Sequence, residues 1–138
     1  IKNKHLYDKF FIAIGDNEIR QKIYKKLISY NMKSLNLIHP KANIAENVYI
    51  EDAVCIMAGV SINSNTKIYK GTILNTNSSI DHDCAIGQFS HICPGVNIAG
   101  SVAIGKNVFI GIGGNVINNI SISSYSKIKA GTTVIKSI

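Results

Sequence analysis

Asp81, His82 and Asp83, in the stretch "SSIDHDCAIG" at 78–87, are the residues whose types and spacing best suit chemistry. An imidazole can take up a proton near neutral pH, so a histidine held in place is a candidate general base. A neighbouring carboxylate can fix its tautomer and stabilise the imidazolium, and on residue type alone either aspartate could serve. The surroundings are uneven in charge. Asp83 is the last acidic residue of the chain, and beyond it stand only Lys106, Lys127, Lys129 and Lys136. A segment without carboxylates can accept a polyanionic ligand without opposing it.

The rest of the composition narrows the classes. With 138 residues, 46% hydrophobic and 17% charged, the chain suits one folded domain with a small appendage. The net charge of +7 sits mostly in residues 1–41, where nine Lys/Arg face three acids. No dense basic run or interleaved aromatic stripe accompanies it, so nucleic acid is not an expected partner. No apolar run approaches the roughly 18–20 residues needed to cross a bilayer, so no membrane partner is expected. The opening "IKNKHLYDKF" lacks the apolar centre of a signal peptide. Cys55, Cys84 and Cys93 form no CxxC pair and read as small buried hydrophobes of a reduced, cytoplasmic protein. The first residue is Ile rather than Met, as expected of a piece of a longer protein.

The elements that must position the triplet are set by a repeat. From Ile38 to Val134 every sixth residue is aliphatic, seventeen in register, fourteen of them Ile. The residue four places later is small or β-branched almost throughout, as in Val48, Val60, Ser78, Cys84 and Val102. A period of six fits neither a helix nor an ordinary strand. It fits a coil whose sides are six residues long, with the aliphatic residue and its companion pointing inward and the two residues between them turning a corner. Asn and Gly are common near those corners, where positive φ is required. Three sides make a triangle of eighteen residues, and triangles stack at about 4.8 Å to give a parallel β-helix of hexapeptide repeats, a triangular prism.

Before the repeat, "FFIAIG" reads as a buried strand and "DNEIRQKIYKKLISYN" as a helix capped by Asp16 or Asn17. Its expected inner face is Ile19, Ile23, Tyr24, Leu27 and Ile28, and "SLNLIH" reads as a second strand. Residues 1–37 are therefore expected to be a partial α/β unit of strand, helix and strand lacking its amino-terminal half. Residues 38–138 are expected to form the β-helix domain. Outward positions such as Tyr49, Tyr69, Ile73, Phe89, Phe109, Ile112 and Ile117 are candidates for covering a neighbour, and a homotrimer is the natural closure.

In this register Ile80 and Cys84 point inward, Asp81 points out, and His82 and Asp83 form a corner. Eighteen residues on, directly above His82, stands Gly100. A bare backbone there is expected to leave room for a reacting group and to offer an N–H to a developing oxyanion.

The runs "FIAIGDNEIRQKIYKKL" and "GTILNTNSSIDHDCAIGQFSHICPGVNIAGSVAIGKNVFIGIGGNVI" resemble the hexapeptide-repeat sugar-nucleotide acetyltransferases of the sialic acid O-acetyltransferase and UDP-N-acetylbacillosamine N-acetyltransferase type. The resemblance runs from Phe10 to Val134. It implies that the β-helix coils left-handed. It also implies acetyl transfer from acetyl-CoA, without a metal, to an amino group, or less often a hydroxyl, of a nucleotide-activated amino sugar. On the same ground His82 is the catalytic base, and Asp83, where the family has Glu, raises its basicity. The Gly100 amide faces the thioester oxygen. His91 and Ile112 line the acetyl-CoA channel, joined by Ala130, where the family has glycine. Gly15 and the adjoining Asp16 touch the sugar nucleotide. From the absence of acids beyond Asp83, some of Lys106, Lys127, Lys129 and Lys136 are expected to meet the CoA phosphates, with the thioester end near His91 and Gly100. The family's opening strand and Gly-rich phosphate loop are expected to precede residue 1.

Two other classes share the scaffold. Zinc catalysis needs three ligands and an open position. His82 and His91 lie half a triangle apart, and His5 and His39 make no second close pair. An ice-binding rod needs a regular Thr array, which Thr66, Thr72, Thr76, Thr132 and Thr133 do not form. A truncated, non-catalytic remnant is the remaining reading.

Overall fold

Ile recurs every eighteenth residue on each side of the coil, and the structure turns that recurrence into stacked columns. The structure is a computed structural model that describes residues 7–138; His5 and most of the opening "IKNKHLYDKF" lie outside them. From β3 (Leu37–Ile38) to β19 (Thr133–Val134), seventeen two-residue strands follow at six-residue intervals. They form three parallel sheets of six, five and six strands. The register is eighteen residues throughout, so Ile80 pairs with Ile62 on one side and Ile98 on the other.

The aliphatic columns from Ile56 to Val134, together with Val54, Val60, Cys84, Val96, Val102 and Val108, make one continuous core. Each fully buried aliphatic side chain contributes about 1.5–3 kcal/mol. Where the inward companion carries a hydroxyl, the next coil accepts it: Thr66 donates to Asp81 O at 2.8 Å and Ser90 to Gly105 O at 2.9 Å. The three cysteines are free and buried, as their inward or sheet positions imply.

The second corner residue is left-handed in every hexad from Asn47 to Gly131. Gly or Asn occupies ten of these corners, but Ala53, Asp83, Phe89, Ser101 and Tyr125 take the same conformation. For a non-glycine this costs about 1–2 kcal/mol. Part of that cost is offset because the corner N–H donates to a carbonyl of the coil below, as in Asp83 N to Ser64 O at 3.0 Å.

The segment before the prism departs from the sequence reading. The buried strand expected over "FFIAIG" is only β1 (Lys9–Phe10), although Phe10 and Ile12 are buried. "SLNLIH" divides: β2 (Lys33–Ser34) pairs with β1, whereas Leu37 and Ile38 already belong to the first coil. α1 (Asn17–Ile28) is capped by Asp16, whose carboxylate accepts Ile19 N–H at 2.8 Å.

The inner face of α1 is only partly the apolar one expected: Ile23, Tyr24 and Leu27 are half-buried, and Tyr24 meets Phe10 and Phe89 edge-on. Ile19 and Ile28 are exposed, whereas Asn17 and Arg20 are buried. The reason is the surface against which the helix packs, a column of prism corners rich in backbone carbonyls. Arg20 donates to Gly71 O, Ile14 O, Gly15 O, Asn17 Oδ1 and Phe89 O at 2.7–3.1 Å. Burial lowers its pKa to about 10, which still leaves it charged at neutral pH. Asn17 donates to Val108 O and Tyr24 to Asp52.

Phe89, expected to face a neighbour, is 2% exposed. Its ring lies where a Cβ on Gly71 would be, 2.3 Å from that position, and meets Tyr24 edge-on at 5.4 Å. Ile73 is likewise buried within the chain, whereas Tyr49, Ile112 and Ile117 are exposed as expected. No helix among the described residues is long and apolar enough to cross a membrane.

Candidate active site

The corner after β10 (Ser79–Ile80) carries the triplet. Ile80 and Cys84 are anchored in the core on either side, so the intervening residues must turn outward. His82 and Asp83 make the turn, Asp83 in the left-handed conformation at φ 58°. The His82 Nδ1 lies 2.8 Å from Asp83 Oδ2, and the two side chains are 54% and 51% exposed. A carboxylate only accepts, so Nδ1 carries a proton, and in the neutral ring the Nε2 lone pair is left free. Asp81 holds the backbone instead: its Oδ1 accepts His82 N–H at 2.8 Å.

The His82 pKa is raised, first by the Asp83 hydrogen bond and then by the charge of Asp81. Asp83 is held below the usual carboxylate range by its bonds to His82 and Asn65. Asp81 is lowered by Asn63 and by the His82 amide. Asn63 and Asn65 went unnoticed in the sequence reading. The signal for them was the interval of eighteen, which sets each beneath its aspartate.

Gly100 stands directly above His82, as the interval predicts. The His82 ring itself takes up the space next to the Gly100 Cα. A Cβ on Gly100 would be 2.7 Å from both Cε1 and Nε2 of His82, so the space freed by the glycine is filled by the imidazole itself. The Gly100 N–H carries no hydrogen bond among the described residues.

His91 lies in β12 (His91–Ile92), on another side of the prism. Its Nδ1 donates to Gly15 O at 3.1 Å and its Nε2 accepts from Asn75 Nδ2 at 3.2 Å. Both nitrogens are thus occupied, and burial lowers the pKa, so this histidine is neutral and is not a free base. Its ring meets Phe109 edge-on at 5.4 Å. Gly15, Asp16, His91, Phe109, Tyr125 and Lys127 line an open cavity of ≈ 510 Å³. Asn75 is a third residue missed from the sequence, because its link to His91 crosses from one coil to the next at an interval of sixteen.

Ile112 is 62% exposed at the third edge, and Ala130 stands one coil above it, close to the backbone of Gly111. Lys127 and Lys129 are exposed nearby. On a single chain His91 and Gly100 thus belong to different parts of the prism. Gly100 shares an edge with His82, while His91 and Lys127 share a sheet face with the cavity beside Gly15. Among the described residues no group of three His, Cys, Asp or Glu is placed to hold a metal.

A parallel hexapeptide solenoid with an aspartate-oriented corner histidine and a docked helix has its homologues among the hexapeptide-repeat sugar acetyltransferases. No family model matches the chain. Over 113 residues it is 29% identical to the GDP-perosamine N-acetyltransferase of Escherichia coli O157:H7, covering 82% of this chain and 51% of that enzyme. PerB from Caulobacter crescentus, solved with CoA and GDP-perosamine, superposes with a TM-score of 0.94 at 36% identity, over 95% of this chain and 63% of that one. Forms of the Caulobacter enzyme with one histidine changed to Asn or Ala were solved with the same two ligands. The acetyltransferase domain of PglB from Neisseria gonorrhoeae has a TM-score of 0.91 at 30% identity, over 93% of this chain and 62% of that one. The chain thus spans about half to three fifths of the length of these relatives.

Proposed function

We propose that this chain carries the acetyl-transfer machinery of an enzyme that moves acetyl from acetyl-CoA to the amine of a nucleotide-activated amino sugar. The observation that carries the reading is the corner histidine, held by Asp83 in the tautomer that leaves Nε2 free. The attacking nitrogen becomes cationic in the tetrahedral intermediate, and His82 Nε2 removes its proton so that the intermediate cannot collapse back. Asp83 stabilises the resulting imidazolium. The Gly100 N–H, without a partner among the described residues, donates to the thioester oxygen as negative charge develops there.

In this reading the cavity that Gly15 and Asp16 form with Phe109 and Tyr125 of the prism receives the sugar. His91, Ile112, Ala130, Lys127 and Lys129 serve acetyl-CoA. The His82 edge and the His91 face lie apart on one prism, so a complete site takes its two halves from adjacent copies. A symmetric homotrimer satisfies every copy alike. Both co-substrates and the three unpaired thiols fit the cytoplasm.

Thiol release from acetyl-CoA, measured on the full-length gene product with GDP- and UDP-linked amino sugars, tests the proposal. Turnover should appear with at least one of them, and His82→Ala should reduce it about 10²- to 10⁴-fold while CoA still binds. Near-normal turnover by His82→Ala would remove His82 from the chemistry.

A further inference from the structure

Asp83 holds His82, and something must hold Asp83. Its carboxylate is half exposed, and the terminal torsion of an aspartate is soft, so nothing intrinsic keeps Oδ2 aimed at the imidazole. The residue one coil below, at the same corner, is Asn65, left-handed at φ 60° beneath Asp83 at φ 58°. Asn65 Nδ2 donates to Asp83 Oδ1 at 3.2 Å, while Asp83 Oδ2 accepts from His82 Nδ1 at 2.8 Å. The carboxylate is therefore pinned at both oxygens, one from the coil beneath and one from the ring it orients.

The neighbouring pair acts on a different part of the histidine. Asn63 Nδ2 donates at 2.7 Å to Asp81 Oδ1, the same oxygen that accepts His82 N–H. Asn63 thus supports the backbone at the corner, and Asn65 supports the ring. Among the described residues, Asp81 and Asp83 are the charged groups acting on His82.

Resting on the reading of His82 as the base, we propose that Asn65 is a positioning residue. Through Asp83 it keeps the imidazole proton on Nδ1 and the Nε2 lone pair toward the substrate. An asparagine serves two needs at once here. It tolerates the left-handed corner, and it supplies the amide that a glycine at the same corner would lack.

Asn65→Gly is the informative change, because glycine keeps the corner conformation and removes only the amide. Histidine ¹⁵N NMR of the full-length protein reads the His82 tautomer directly, whatever the activity. The parent should show the proton on Nδ1, and Asn65→Gly should shift population toward the Nε2–H form that an unrestrained imidazole prefers. The kcat should fall about three- to tenfold, as for loss of one hydrogen bond, with the KM for acetyl-CoA unchanged. Asn77→Gly, the same exchange at a left-handed corner of another edge (φ 56°), should change neither. An unmoved tautomer in Asn65→Gly, a moved tautomer with unchanged kcat, or an equal effect from Asn77→Gly would each overturn the proposal. Normal turnover by His82→Ala would defeat the catalytic reading separately, because the tautomer measurement needs no catalysis.

Discussion

Replacing Gly100 by alanine should damage catalysis far more than stability, and the structure sets the size of the effect. The added methyl would sit 2.7 Å from Cε1 and Nε2 of His82. Carbon atoms in contact settle at about 3.5–4.0 Å, so the ring must retreat by about 1 Å. Backbone strain does not arise, since Gly100 is not in the left-handed region. The obstructing group is the half-exposed end of a side chain, which can swing toward solvent at little cost to the fold. Swinging away breaks the alignment with Asp83 Oδ2 and moves Nε2 from its place. A misplacement of 1 Å at a reacting centre can cost about 10²-fold in rate. Gly87→Ala provides the contrast, because its methyl would lie 2.5 Å from backbone atoms of Gly105 in the next coil. That change should force two coils apart and cost about 1–3 kcal/mol of stability. Thiol release gives kcat for both variants, and thermal unfolding gives stability. If Gly100→Ala turns over like the parent, the exact place of the His82 ring is not what catalysis depends on.

Three further outcomes follow from the same geometry. Because Asp83 and then Asp81 raise the His82 pKa, kcat/KM should climb with pH through a midpoint above the ordinary histidine value of about 6.5. Asp83→Asn removes the largest cause, so the midpoint should move to lower pH as kcat falls; a stationary or rising midpoint in the pH profile would contradict the assignment. Arg20→Met should destabilise the chain by about 2–4 kcal/mol in urea unfolding, since it strands several buried carbonyls at once, and a change below about 0.5 kcal/mol would deny Arg20 that role. Changing Lys106, Lys127, Lys129 and Lys136 together to Gln should weaken CoA by about 1–4 kcal/mol and flatten its salt dependence, and unchanged titrations would place the phosphates elsewhere.

The prism was legible because a stacked coil demands the same inward residue at every interval of eighteen, and nothing but Ile, Leu or Val interrupts that demand from Ile38 to Val134. The vertical pairing of His82 with Gly100 was legible for the same reason. Where the side chain would fold was not: arithmetic along the chain sets one residue above another but does not say that the ring occupies the gap. The docking of α1 was hidden by a different cause. Apolar periodicity pointed to Ile19, Ile23, Tyr24, Leu27 and Ile28, of which the middle three are half-buried, but the surface awaiting the helix was also a line of carbonyls that called for Arg20 and Asn17. Phe89 was misread in consequence, since its outward direction was right but the helix covering it could not be located from the repeat. Asn63, Asn65 and Asn75 looked like ordinary corner and face polar residues, because their importance lies in partners one coil away.

The polar seam between α1 and the corners also changes how the rod can come apart. A solenoid of identical coils is held mainly by nearest neighbours, so its ends can fray coil by coil without consulting the middle. Here one helix grips successive coils at once, through Tyr24 to Asp52, Arg20 to Gly71 and Phe89, Gln21 to Asn107 and Asn17 to Val108. Coils clasped in this way must open together or lose the clasp, which welds the middle of the ladder into a single cooperative block. The His82 corner is threaded through that block, between the coils bound by Arg20 and Asn17. Thermal fraying is thereby confined to the turns beyond the clasp, and the His82 corner inherits the rigidity of the whole block.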